Sequence, residues 1–112
     1  MQLEGVGEVI AARILHLEEE AAGSESAITV QIGRPQCFPE PPDDYFVPYQ
    51  ILGIGDERVG YVAGIDAVQA LQLVMRVNGA ELTALSRESA GDISWEAGQT
   101  AHDLGFPEYN AR

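Results

Sequence analysis

Between Gly64 and Leu85 the chain reads GIDAVQALQLVMRVNGAELTAL, the one stretch long and periodic enough to commit it to a long helix. Apolar side chains recur at Val68, Leu71, Val74, Met75, Leu82 and Leu85. Gaps of three, four and seven place them on one face of a helix. Gln69, Gln72, Arg76 and Glu81 fall largely outside that stripe. Asp66 is the expected N-cap, with Gln69 in the capping-box position three residues on, and its charge suits the positive end of the helix dipole. Asn78-Gly79 is the one place where the helix can stop, as a C-cap. Leu82 and Leu85 continue the stripe of Leu71 and Met75, so a continuous helix is expected. An interior glycine costs it about 1 kcal/mol and permits close approach to a sheet.

Everything before this helix reads as sheet. Residues 8–17, EVIAARILHL, are rich in β-branched side chains and short, which favours a strand over a helix. Residues 18–26 carry Glu18, Glu19 and Glu20, then Gly and Ser, and read as a turn. In residues 27–33, Ile28, Val30 and Ile32 alternate with Thr29 and Gln31, a half-buried strand pairing with the first. Four of the six prolines fall in residues 33–44, which excludes helix and central strand there. Residues 45–54 and 58–64 form a second hairpin around Gly55-Asp56-Glu57, with Pro48 suggesting a strand that starts at Tyr49 or lies at an edge. After the helix comes a polar connector, then a short strand at Asp92–Trp95. Trp95, Leu104 and Phe106 are the residues able to pin the tail to the body. The expected fold is α+β over one domain, residues 1–112: an antiparallel four- to five-stranded meander sheet with one long helix packed on one face, in the order β-β-β-β-α-β.

Eighteen acids face six bases, all arginine, for a net charge of −12. That charge repels phosphate, so neither nucleic acid nor an anionic membrane surface is an expected partner. It favours basic partners and also simply maintains solubility. A single cysteine, Cys37, excludes an internal disulfide and a thiolate zinc cluster. The N-terminus has no basic start and carries Glu4 and Glu8, unlike a signal peptide, and no apolar run reaches the length of a membrane span. A cytoplasmic location is expected.

No catalytic set is complete. The glycines at Gly5, Gly7, Gly53 and Gly55 do not follow the strand–glycine–helix order of a phosphate cradle, and the chain has no lysine for one. Cys37 has Arg34 nearby in sequence, but nothing in the spacing brings His16 or His102 to it as a base. His102-Asp103 resembles the pair of metal phosphohydrolases, yet one other histidine cannot finish that ligand set. Asp43-Asp44 lacks a calcium-loop pattern, and none of the serines sits in a nucleophile elbow. No catalytic residue, cofactor or metal site is therefore expected.

Glu40, Asp43 and Asp44 of the proline-rich segment stand beside Phe38, Tyr45 and Phe46, a mixture of charge and aromatics suited to a protein partner, with Phe38, Tyr45 and Tyr49 as the expected anchors. Together IGRPQCFP, PYQILGIGDERVGYVAGIDAVQALQLVM and the terminal DLGFP resemble a family of small bacterial proteins of unknown function. Its pattern is an IGRPQ strand end, a PYQI strand, a G-x-DA-x-QAL helix start and a DLGFP terminus, and it covers Ile32 to Pro107. The resemblance implies a tryptophan-bearing strand after the helix and transfers no catalytic residue. In size, charge and format the chain is similar to immunity proteins of bacterial toxin systems. The leading expectation is a non-enzymatic acidic protein-binding domain, in its sharp form an inhibitor of a basic toxin. Two alternatives stand beside it. One is a small-molecule-binding module or small enzyme with a site between helix and sheet, using Tyr61, His16 or Asp66. The other is a self-associating structural protein, such as a homodimer through an edge strand.

Overall fold

The computed structural model describes residues 1–19, 24–41, 43–88, 91–95 and 104–107. Among them the chain runs β1 (Val9–Glu19), β2 (Ser24–Gly33), β3 (Gln36–Cys37), β4 (Tyr45–Leu52), β5 (Gly60–Gly64), α1 (Ala67–Glu88) and β6 (Gly91–Ser94). The strands pair antiparallel in one sheet, with α1 laid on one face. β1 and β2 form a hairpin, β4 pairs with β2, β5 pairs with β4, and β6 returns beside β1 with Ile93 opposite Leu17. The α+β meander expected from the sequence is present.

A short strand, β3, lies at the sheet edge within the proline-rich segment, where the prolines excluded only helix and central strand. Gln36 pairs with Phe46 and Cys37 with Tyr45. These two residues, between Pro35 and Pro39, keep their backbone donors. The Phe38 N–H then donates to the Asp44 carbonyl at 2.9 Å, closing the proline-rich segment at its base as a hairpin loop. Pro48 also differs from expectation, because β4 begins at Tyr45 and runs through it. On one side β4 pairs with β3 at residues 45–46 and with β2 at 49–52. Pro48 falls in the interval between, where a missing N–H interrupts no ladder on that side.

The core lies between α1 and the inner sheet face. Leu15, Leu17, Ile28, Val30, Ile32, Val47, Tyr49, Ile51 and Ile93 meet Ala70, Val74 and Leu82 of the helix. Strand period fixes these choices, since alternate residues share a face. The helix starts as the sequence implies. Asp66 Oδ1 accepts from the Gln69 N–H, and Gln69 Oε1 accepts from the Ile65 N–H, each at 2.8 Å. The reciprocal cap thus reaches one residue further back than the standard box. The helix runs unbroken through Asn78-Gly79.

Its buried stripe is rotated from the expected one. Ala70, Val74, Asn78, Gly79 and Leu82 are buried, Leu71, Met75 and Leu85 are half-buried, and Val68 is 64% exposed. The junction with β5 sets this rotation. A Cβ on Gly64 would lie 2.6 Å from the Ala70 nitrogen, so glycine at position 64 lets the helix backbone come directly against the strand end. Gly79 serves a close approach, but to the C-terminal segment. A Cβ there would sit 3.0 Å from the Phe106 Cβ.

That segment is held by Arg13. Its guanidinium stacks 4.2 Å from the Trp95 ring centroid and 4.6 Å from that of Phe106, and donates to the Leu104 carbonyl at 3.2 Å. Leu104 and Phe106 are buried, as the tail reading required. Between them Gly105 has φ +81°, and a Cβ there would lie 2.4 Å from the Trp95 ring. On the outer sheet face a smaller cluster forms. Val6 packs over Gly33 and Pro48, and the rings of Phe38, Phe46 and Tyr61 gather with centroids 4.8 to 6.2 Å apart.

Two residues test this packing. The Asn78 amide is fully buried with neither its oxygen nor its nitrogen hydrogen-bonded. Leucine has the same branched outline without polar atoms, so Asn78→Leu is expected to stabilise the fold by about 1–3 kcal/mol in urea denaturation, the usual cost of an unsatisfied buried polar group. Gly105→Ala is expected to lower stability by about 1–3 kcal/mol through its positive φ. The clash with Trp95 would add to that loss, and indole fluorescence should shift with it.

Candidate functional site

β4 points Val47, Tyr49 and Ile51 to the inner face. Beyond Leu52 the chain turns through Gly53 (φ +95°), Gly55 (φ +72°) and Glu57 (φ +58°) before β5. The loop is braced by its own acids. Glu57 Oε2 accepts from the Gly53 N–H at 2.7 Å, and Asp56 Oδ1 accepts from the Arg58 N–H at 3.0 Å. Gln50 Nε2 donates to the Glu57 carbonyl at 2.8 Å. Opposite this turn lies the C-terminal half of α1. Between the two opens a cleft of about 210 Å³, with Ile51, Ile54 and Leu85 as apolar wall and Tyr49, Arg58, Glu81 and Glu88 as polar lining.

The floor of the cleft is one hydrogen bond. The Tyr49 ring is buried and its hydroxyl donates to Glu81 Oε1 at 2.5 Å. Burial is the main force raising the Tyr49 pKa well above its ordinary range, the bond to Glu81 and that carboxylate's charge add to it, and Arg58 opposes it. The phenol therefore stays protonated at neutral pH. Among the described residues the lining holds no histidine, cysteine or serine.

A second surface lies at the other end of the sheet. Register brings Cys37, Tyr45 and Gly64 side by side there. Phe38, Asp44 and Ile65, one residue beyond each, thus share that end. Phe38, Pro39, Glu40, Asp44 and Met1 line a shallow depression. Ile65 and Val68 stand nearby in the chain at 72% and 64% exposure.

The structure divides the residues singled out from the sequence. Phe38, Glu40 and Asp44 come together, and Asp43 is exposed on the same loop. Tyr45 packs against the inner core, and Tyr49 is buried with its hydroxyl in the opposite cleft, so neither joins Phe38 on the surface. Strand alternation decides this, because odd-numbered residues of β4 point inward. None of Tyr61, His16 or Asp66 lines the helix–sheet cleft. Tyr61 belongs to the outer aromatic cluster, His16 is exposed on β1, and Asp66 caps the helix. Cys37 is exposed. His102-Asp103 lies outside the described residues. Among the described residues no group of three or more potential ligands converges on a metal position, and no helix is long and apolar enough to cross a membrane. The Tyr49–Glu81 pair was not foreseen. Its signal was the Val47–Tyr49–Ile51 alternation facing a helix whose flank carries Glu81.

Tyr49 gives the site a pH signature. A folded-state pKa raised above the unfolded value means that the unfolded chain releases this proton first. The Tyr49 contribution to stability is therefore complete below the ordinary tyrosine pKa of about 10 and is lost as pH rises above it. Thermal melts from pH 9 to 11 should show stability falling more steeply for the wild type than for Tyr49→Phe, the other tyrosines cancelling in the difference.

The comparisons with known proteins bear on the family alone. Residues 11–108 match a domain of unknown function, DUF6968. No curated protein and no solved structure matches the chain. The match spans most of the chain, which therefore belongs to the DUF6968 family.

Proposed function

We propose that this DUF6968 member is a non-enzymatic, cytoplasmic binding domain for a positively charged protein partner. In the sharpest form of this reading it is an immunity-type inhibitor that occludes a basic toxin. The observation that carries it is the sheet end where Phe38 lines a depression with Glu40 and Asp44, Asp43 is exposed on the same loop, and the exposed Ile65 follows the end of the neighbouring strand β5. Apolar anchors ringed by one sign of charge suit an interface in which the acids steer encounter and the anchors set lifetime. The net charge of −12 extends the same attraction over the molecule. The Phe38 N–H bond to Asp44 and the prolines around it hold the loop in place before binding, which lowers the ordering cost.

A second reading, a module for small molecules, is favoured by the cleft beside Tyr49 and Glu81, which lies between helix and sheet.

The partner is sought by affinity capture from the native host at low and moderate salt, followed by titration of the purified pair. One stoichiometric basic protein is expected, with association slowing as salt rises. Phe38→Ala should weaken binding by about 2 kcal/mol or more, roughly thirtyfold in Kd. Asp44→Arg should mainly slow association. Salt-independent binding that ignores both substitutions would overturn the proposal.

A further inference from the structure

The cleft beside the β4–β5 turn lies at the opposite end of the sheet from the partner surface and is argued independently of it. Its floor is unusually one-sided in hydrogen-bond character. The Tyr49 ring is anchored in the core, so its hydroxyl cannot swing away, and its proton is committed to Glu81 Oε1. What remains for a ligand is the second Glu81 oxygen and the lone pairs of the phenol, acceptors only. Glu88 on the same helix face adds another carboxylate to the lining, while Asp56 and Glu57 hold the turn that forms the opposite wall. Ile51, Ile54 and Leu85 supply apolar surface directly beside these acceptors. The volume, about 210 Å³, is on the scale of a side chain rather than of a nucleotide or drug-sized ligand.

We infer that this cleft binds an alkylammonium or alkylguanidinium group. The cation donates to Glu81 and to the Tyr49 oxygen, and its methylene stem lies on Ile51, Ile54 and Leu85. Ligands of this class match both surfaces at once, because lysine- and arginine-like chains carry an apolar stem behind a charged head. A carboxylate or phosphate would find few donors there besides Arg58 and would face surrounding acids. The carboxylates do not converge on a metal position among the described residues. Arg58 has a defined part. It lines the cleft and its charge reaches the Tyr49 hydroxyl, so it opposes an incoming cation. The same chemistry can arrive as a free amine or as the side chain of a protein.

The test is titration of the ¹⁵N-labelled domain with agmatine, with n-butylamine and with a blocked peptide containing one arginine, followed by amide shifts. Saturable shifts confined to residues 53–58 and 81–88 are expected. Glu81→Gln should weaken binding at least about tenfold, the usual effect of losing a hydrogen bond to a charged group. Arg58→Ala should tighten it, and Phe38→Ala should leave it unchanged, which separates this site from the partner surface. Binding of the free amines identifies a small-molecule source, and binding of the peptide alone identifies a protein side chain. Both support the inference. It is overturned by shifts that do not saturate with any probe, by shifts spread over the whole acidic surface, by affinity indifferent to Glu81→Gln, or by weaker binding in Arg58→Ala.

Discussion

β4 is buried from both sides, and the rest of the molecule is arranged to achieve that. Val47, Tyr49 and Ile51 face the helix, while Phe46 and Pro48 face the outer cluster of Val6, Phe38 and Tyr61. A strand of this kind must be covered twice, and a short chain has little material for the second cover. Here the N-terminal segment and the base of the proline-rich loop provide it. The short strand β3 follows from this need, since pairing Cys37 with Tyr45 brings Phe38 onto Phe46. The apolar content of YFVPYQIL is therefore accounted for on both faces.

The two ends of this strand meet different chemistry because the chain leaves them differently. At the Tyr45 end, a paired dipeptide holds a loop in which Glu40 and Asp43 are exposed and Asp44 is half-buried. At the Leu52 end, positive-φ residues make a tight turn whose acids are spent on its own backbone. Acidity thus has two local meanings within one overall charge. In the first loop Glu40 and Asp43 stand exposed to solvent. In the second, two of them brace the turn, and Glu81 and Glu88 of the facing helix line the cleft.

Much of this architecture was legible in the sequence. The cap at Asp66, the helix crossing Gly79 and the meander order follow from local chemistry and periodicity, which act within a few residues. The rotation of the helix stripe was not legible. Val68 belongs to the apolar pattern but stands exposed, because contact between Gly64 and the Ala70 backbone decides which side faces inward. β3 escaped for a related reason, since proline content describes a segment's average while pairing needs only two residues with donors. The site was legible in part. Composition grouped Phe38, Glu40 and Asp44, and they lie together because they share one loop. Tyr49 was grouped with them through proximity in sequence, although strand parity sends it to the other side. Its partnership with Glu81 spans 32 positions and depends on how the helix lies across the sheet.

Tyr49 joins the core to the cleft in a way Phe38 does not. Its ring is core and its hydroxyl is site, so removing the ring would open a cavity, whereas phenylalanine removes only the polar part. Leaving the Glu81 carboxylate without that donor frees it to turn toward water, because Glu81 is itself exposed. The core therefore holds the acceptor in position. Asn78 shows the contrasting case one turn earlier on the same helix. It is buried without a hydrogen-bond partner and lines neither the cleft beside Tyr49 nor the depression beside Phe38, so its polarity orients nothing there. A buried polar group helps a site only where the packing that confines it also points it outward, and on this helix face Tyr49 meets that condition through Glu81.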